Sequence, residues 1–159
     1  MVLAETVPDI LVAIGREERA LRDVPWRTLE EIVAELLRSK GLEVTVTNMT
    51  RDGGRDIVAR GELVPGEPSE IAVSVKQEEV VGIAAARDAL YANQDYPLVM
   101  LATAGSFSAG VITERRREQV RLRLLLKDGI ALRQWIDAYV LHHNRMVGEG
   151  GLEPPTSEV

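Results

Sequence analysis

The spacing of apolar residues divides the chain into periodic segments. In "WRTLEEIVAELLRSKG", Leu29, Ile32, Val33, Leu36 and Leu37 recur at helical spacing. Thr28 followed by Glu31 predicts an N-cap, and Gly41 a stop, so an amphipathic helix is expected here. "LEVTVTNM" alternates Leu42, Val44 and Val46 with Glu43, Thr45 and Thr47, the pattern of a half-buried strand. "RDGG" is turn chemistry and "RDIVAR" a second strand, so the two imply a hairpin. "GELVPGEPS", with two prolines and two glycines, predicts a loop before a third strand, "EIAVSVK". Residues 79–92 return to helical spacing, and the continuous apolar run "YPLVMLATA" predicts a buried strand. "GSFSAGVITERRREQVRLRL" reads as loop then helix, "LLLKDG" as a short edge strand, and residues 130–143 as a last helix. Strands that need cover on both sides predict an α/β fold, a mixed central sheet flanked by helices on both faces.

Composition narrows the reading. At 159 residues, with 45% hydrophobic and 28% charged residues, the chain suits one well-buried core. The expected division is a helical N-terminal extension over 1–25, one domain over 26–146 and a flexible tail over 147–159. No cysteine is present, which excludes disulfides, thiolate metal sites and cysteine nucleophiles and points inside the cell. The first residues lack the basic leader and apolar core of an export signal, and no run approaches the roughly 20 apolar residues of a membrane span. A cytoplasmic protein with no membrane partner is expected.

The net charge of −6 argues against a general nucleic-acid coat, since phosphate binding rests on basic residues that displace counterions. Distribution overrides the total. Arg115, Arg116, Arg117, Arg121, Arg123 and Lys127 lie close together, and this cluster is the candidate phosphate-facing surface; Arg115, Arg116 and Arg121 are its expected DNA contacts. The alternative is a solvated helix face.

Alternation along "EIAVSVK" sends Glu70, Ala72, Ser74 and Lys76 to one face. If the strand holding Asp56 lies alongside, Asp56 and Lys76 converge at one sheet edge. A carboxylate there can hold Mg²⁺, and an ammonium beside it can orient a water or stabilise charge on a phosphate. His142 and His143, near the end of the last helix, are expected on the surface, and Trp26 and Trp135 in core or staple positions.

"LEEIVAELLRSKGLEVTVTNMTRDGGRDIVAR", followed by "AVSVKQ", "VMLATAGSFSAG" and "LLLKDGIALRQWI", resembles the Mrr-type restriction endonuclease family of the PD-(D/E)xK nuclease superfamily. The likeness runs from about Trp26 to Tyr139 and rests on the "DGGxD" turn, its spacing to "VK", and "TAGSF". It implies a restriction-endonuclease-like core, DNA as substrate, and a Mg²⁺ or Mn²⁺ cofactor with no organic one. Carried over position by position, Asp56 falls on the metal-binding aspartate, Lys76 on the catalytic lysine, and Glu30 on the acid offered by the first helix. Asp52, Gly53 and Gly54 match the turn. The implied metal ligands are Asp56, the main-chain carbonyl of Val75, and Glu30.

Position 74 departs from the resemblance. The family pattern has Glu or Gln two residues before the lysine, and Ser74 is short and uncharged, which weakens a hard-cation site. Glu30 is the expected replacement; Glu70 lies four residues from Ser74, too far along the strand; a water on the Ser74 hydroxyl is a third route. The expected function is a metal-dependent endodeoxyribonuclease. The alternatives are a weakened DNA-binding or assembly module with a nuclease fold and a Holliday-junction resolvase, which implies a homodimer. Members of the family often carry a separate DNA-reading domain, and 25 residues before Trp26 are too few for one.

Overall fold

A computed structural model describes residues 5–49 and 55–151. Helix α1 (Val7–Gly15) is followed by a 3-10 turn, helix α2 (Trp26–Ser39), and strands β1 (Glu43–Met49), β2 (Arg55–Val64) and β3 (Glu67–Lys76). Then come β4 (Val80–Val81), α3 (Ile83–Ala92), β5 (Leu98–Thr103), β6 (Ser106–Phe107), α4 (Ala109–Arg115), α5 (Glu118–Arg121), β7 (Leu124–Lys127) and α6 (Gly129–Gly151).

Among the described residues the main sheet has the order β1-β2-β3-β5-β7, with β4 and β6 forming a second, two-stranded sheet. β1, β2 and β3 pair antiparallel, while β3, β5 and β7 are parallel. The mixed sheet flanked by helices is therefore as expected.

The two faces are covered differently. Ile57, Ala59, Ile71, Val73, Val75, Met100 and Ala102 meet α1, α2 and α6 in one large core. On the other face, Val99, Leu101 and Leu124 pack against Ala86, Ala89, Val111 and Val120 of α3, α4 and α5. β1, β2 and β3 carry polar residues on that second face, among them the Arg60–Glu70 ion pair at 2.6 Å. Alternating strands need cover on one side, and the continuous apolar β5 needs it on both.

Several boundaries differ from the sequence expectation. α2 begins at Trp26 with Pro25 as N-cap and no side-chain cap, so Thr28 lies inside the helix. Pro25, with its fixed φ, leads the chain in more decisively than the Thr28 hydroxyl. The expected loop "GELVPGEPS" is mostly strand: β2 runs to Val64, β3 starts at Glu67, and Pro65 and Gly66 turn, with Gly66 at φ +84°. Pro68 is tolerated because β5 joins only from Ile71, so no ladder is lost on that side. The helix expected from residue 79 begins at Ile83, after β4 has paired with β6. The basic segment is two short helices broken at Arg116 and Arg117. α6 continues to Gly151, so 147–151 are helical where a tail was expected; 152–159 lie outside the described residues, as does the "DGG" turn with Asp52, Gly53 and Gly54.

The N-terminal helix is present, and Leu11 and Ile14 are fully buried in the main core, so α1 is part of the domain packing and not an appendage to it. No helix among the described residues is long and apolar enough to cross a membrane.

The loops after β3, β5 and β7 interlock at one sheet end. Ser106 N donates to Glu79 O at 2.9 Å, Gly129 N to Gly105 O at 2.9 Å, and the buried Thr103 hydroxyl to Glu78 O at 3.2 Å. A Cβ on Gly105 would stand 2.1 Å from Glu79 O, a backbone atom that cannot swing aside. Gly105→Ala should therefore destabilise the fold by about 1–3 kcal/mol or more, read as a lowered denaturant midpoint at unchanged m-value.

Tyr139 ties α6 to α2 by donating to Glu35 at 3.1 Å, and His143 stacks on it with centroids 6.2 Å apart. Burial, then the Glu35 charge and hydrogen bond, push the Tyr139 hydroxyl up to about 12. A raised acid pKa favours the protonated form in the folded state. Its contribution to stability is complete below the usual value of 10.0 and is lost as pH rises to about 12. The stability advantage of wild type over Tyr139→Phe should accordingly shrink across that window in thermal melts; a constant difference would contradict the linkage.

Candidate active site

Strands β1, β2 and β3 and helices α2 and α3 border an open cleft of about 560 Å³. Its floor includes Asp56, Val58, Ala72, Ser74 and Lys76; Trp26 and Glu30 enter from α2, and Asp88, Asn93 and Tyr96 from α3 and the loop after it.

The register explains the floor. Ile57 pairs with Val73 and Val58 with Ala72, so Asp56, two residues before Val58 and just past the paired stretch, lies on the face of Val58 and Ala72. Paired residues share a face and Lys76 follows Ser74 by two, so Asp56, Ser74 and Lys76 share the face that α3 leaves open. Asp56 is exposed, and Ser74 and Lys76 are half-buried. Asp56 sits beside an irregularity in the β1–β2 ladder between Val46 and Met49. There the Thr47 hydroxyl takes the place of ladder partners: it accepts from Asp56 N at 3.1 Å and donates to Asp56 O at 3.3 Å. The backbone that presents the carboxylate is thus held at a point where the strand pairing is broken.

Glu30 is 2% exposed, on the second turn of α2, with Oε1 3.8 Å from Arg27 Nη1. Trp26, one turn before Glu30, donates its indole N–H to the Val75 carbonyl at 2.9 Å. The carbonyl named as a ligand is therefore already a hydrogen-bond acceptor, with one of its two lone pairs committed.

The groups proposed to meet a cation are oxygens, the Asp56 and Glu30 carboxylates, the Val75 carbonyl and the Ser74 hydroxyl, and Asp88 adds a third carboxylate to the cleft lining. Among the described residues, no group of three or more His, Cys, Asp or Glu is close enough to form a metal cage. Such a set suits a hard divalent cation that uses one or two carboxylates and completes its shell with water and substrate phosphate.

The basic cluster divides in two. Arg117 is bound to the buried Glu114 at 2.8 Å, which also meets Arg87 at 3.6 Å. Arg123 donates to the carbonyls of Leu90, Asn93 and Tyr96 at 3.3, 2.7 and 3.3 Å, holding the C-terminal end of α3. Lys127 lies 4.8 Å from the Trp135 ring centroid, with Lys40 at 4.3 Å; burial and then the charge of Lys127 lower the Lys40 pKa. Arg115, Arg116 and Arg121 make no ion pair or side-chain hydrogen bond with the described residues.

Sequence reasoning missed Trp26, Thr47, Asp88, Asn93 and Tyr96 as cleft residues. Trp26 carried a readable signal, since it stands four residues before Glu30 on the same helix face. The α3 residues carried none. Glu70 lies beyond the cleft, paired with Arg60.

Comparison with known proteins places these features in a family. The Mrr_cat restriction endonuclease model matches residues 21–136. The uncharacterized protein y4cE of Sinorhizobium fredii (strain NBRC 101917 / NGR234) is 35% identical over 63 residues, which are 40% of this chain and 16% of that protein. The MspJI restriction endonuclease, solved in complex with a 27-mer oligonucleotide, superposes with a TM-score of 0.51 at 12% identity, covering 96% of this chain and 37% of that one. The DNA modification-dependent restriction endonuclease AspBHI gives 0.49 at 14% identity, over 92% and 42%. This chain thus spans less than half the length of each. With most of its length matched by the family model and the corresponding fold observed, the chain belongs to the Mrr_cat restriction endonuclease family.

Proposed function

We propose that the cleft hydrolyses DNA phosphodiester bonds with Mg²⁺ or Mn²⁺, as an endodeoxyribonuclease of Mrr type acting in the cytoplasm. The observation that carries this reading is that Asp56, Ser74 and Lys76 share one open sheet face and line one cleft with Glu30 and Val75. Membership of a restriction endonuclease family supports DNA as the substrate class.

Asp56, the Val75 carbonyl and Glu30 would hold the cation, the carbonyl through its second lone pair. When bound, the cation supplies positive charge to the phosphate and lowers the pKa of a water. Lys76 orients the attacking water and offsets negative charge accumulating on the phosphate oxygens. The water oxygen forms the new bond to phosphorus, one ester oxygen leaves, and that oxygen takes up a proton. Ser74, too short to be an anionic ligand, leaves room on the floor where its hydroxyl can hold a water.

A second reading, a non-cutting module with a nuclease fold, is favoured by one feature: the Val75 carbonyl and Glu30 already have partners in Trp26 and Arg27. A Holliday-junction resolvase would act on the same cleft as a homodimer, and it is separated by offering branched and linear duplexes side by side with a measurement of mass in solution.

Plasmid incubated with Mg²⁺ or Mn²⁺ should be nicked or linearised. Asp56→Asn and Lys76→Met should each lower the rate by about 10²–10³, the scale of removing one charge-stabilising group. Ser74→Glu, which adds an anion on the cleft face, should lower the Mg²⁺ concentration needed. Wild type without cleavage under either metal, with Ser74→Glu equally inert, would favour the non-cutting module.

We also assign the phosphate contacts to Arg115, Arg116 and Arg121. Their replacement by Ala should weaken DNA binding and reduce the log–log salt slope by roughly one unit per lost contact. An unchanged slope would make them a solvated surface.

A further inference from the structure

Lys127 ends β7 two residues after Leu125, so it takes the sheet face on which Leu125 packs against the main core. Its ammonium stands 4.8 Å from the Trp135 ring centroid, and the ammonium of Lys40, the C-cap of α2, stands 4.3 Å from the same centroid. The two positive charges are thus no farther apart than the sum of these distances, and Lys127 adds to the effect of burial in lowering the Lys40 pKa. Lys40 is exposed, while Lys127 and Trp135 are half-buried. The chain has 25 acidic residues, yet neither lysine forms an ion pair or a side-chain hydrogen bond with a described residue. Asp128, next along the chain, commits Oδ1 to Ala131 N at 2.9 Å in the first turn of α6.

An indole attracts one ammonium, but a second beside the same ring also meets the repulsion of the first. Packing does not call for the pair. Lys40 would complement the C-terminal dipole of α2 from any outward rotamer, and an apolar residue at 127 would continue the face begun by Leu125. Two like charges held together without a carboxylate lack an anion between them. We propose that Lys40, Lys127 and Trp135 form an oxyanion site that takes a phosphate group, with the ammoniums on its oxygens and the indole as the apolar wall beside it. Each ammonium is a point charge on a flexible four-carbon stem, so both can turn from the ring to one anion without moving the backbone. None of the three residues lines the cleft, and Lys127 faces away from the layer of α4 and α5 that carries Arg115 and Arg121. The site is therefore separate from both and does not rest on the nuclease reading. A free nucleotide and a nucleic-acid backbone both present the required group.

The first probe is inorganic pyrophosphate, titrated with EDTA present so that no divalent cation takes part, and followed by tryptophan emission, binding heat and Tm. Wild type should give a saturable change in emission, measurable heat and a rise in Tm. Trp135→Phe should lose the emission change and keep the heat, which assigns the signal to Trp135 and not to Trp26. Lys40→Met and Lys127→Met should each weaken binding roughly tenfold or more, the scale of losing one hydrogen bond to a charged group, whereas Lys40→Arg should retain it. Without pyrophosphate the Met variants should melt no lower than wild type, because a like charge has been removed. If either does not fold, the Gln variant at that position carries the same comparison. Purely structural cation–π contacts would give a lower Tm in both Met variants and no pyrophosphate response in wild type, which overturns the proposal. A response that both Met variants keep in full would put the anion elsewhere and overturns it equally. AMP and a short DNA duplex then distinguish the source. Binding of AMP that depends on both lysines identifies a nucleotide site, and the same dependence with the duplex alone identifies the phosphodiester backbone; either supports the assignment.

Discussion

The unequal cover of the two sheet faces is the constraint on which the rest of the molecule depends. β2 and β3 alternate, so their apolar residues require one helical layer, which α1, α2 and α6 supply along the width of the sheet. β5 is apolar on both sides and draws α3, α4 and α5 over itself and β7. Only Val58 and Ala72 are apolar on the second face of β2 and β3 beside the polar Asp56, Ser74 and Lys76, so that area stays open beside the flank of α3 and becomes a cleft. The polar half of an alternating pattern is therefore what makes room for chemistry.

Within that frame, the site is assembled by backbone contacts that serve no purpose in the sheet alone. The Thr47 hydroxyl holds Asp56 where the ladder is irregular, and the Trp26 indole joins the head of α2 to Val75. Glu30 is brought to the cleft by the same helix face that brings Trp26, one turn earlier. Beyond Lys76, the loops after the parallel strands cross so closely that Gly105 and Gly129 leave no space for a Cβ, which makes the end of β3 a fixed terminus.

What could be read in advance follows from the range of the physics involved. Alternation and helical spacing are local, so the strands of the main sheet, α2, and the shared face of Ser74 and Lys76 were legible, while the place of Asp56 hung on which strand lay alongside. The boundaries were less so. Pro65 and Pro68 suggested a loop because the missing amide donor matters only when a neighbouring strand is present, and β5 joins too late to need it. The two-residue strands β4 and β6 exist only as each other's partner, across more than twenty residues of chain. Asp88, Asn93 and Tyr96 border the cleft because of where α3 packs, which no spacing within α3 encodes. The burial of Glu30 was visible in outline from the helical face it shares with Trp26, but its neighbour Arg27 was not singled out.

The basic cluster shows how far composition can mislead. Arg117 is engaged with a buried glutamate, Arg123 closes the C-terminal end of α3 through three carbonyls, and Lys127 lies against an indole. Arg123 commits three of its five N–H donors to main-chain oxygens, so it cannot swing out as a whole to a phosphate without loosening the helix it terminates. Half of the cluster is thus engaged within the fold, which leaves Arg115, Arg116 and Arg121 as the groups the proposed phosphate surface would draw on. On the proposed reading, so few phosphate contacts would make attachment at physiological ionic strength weak and rapidly reversible.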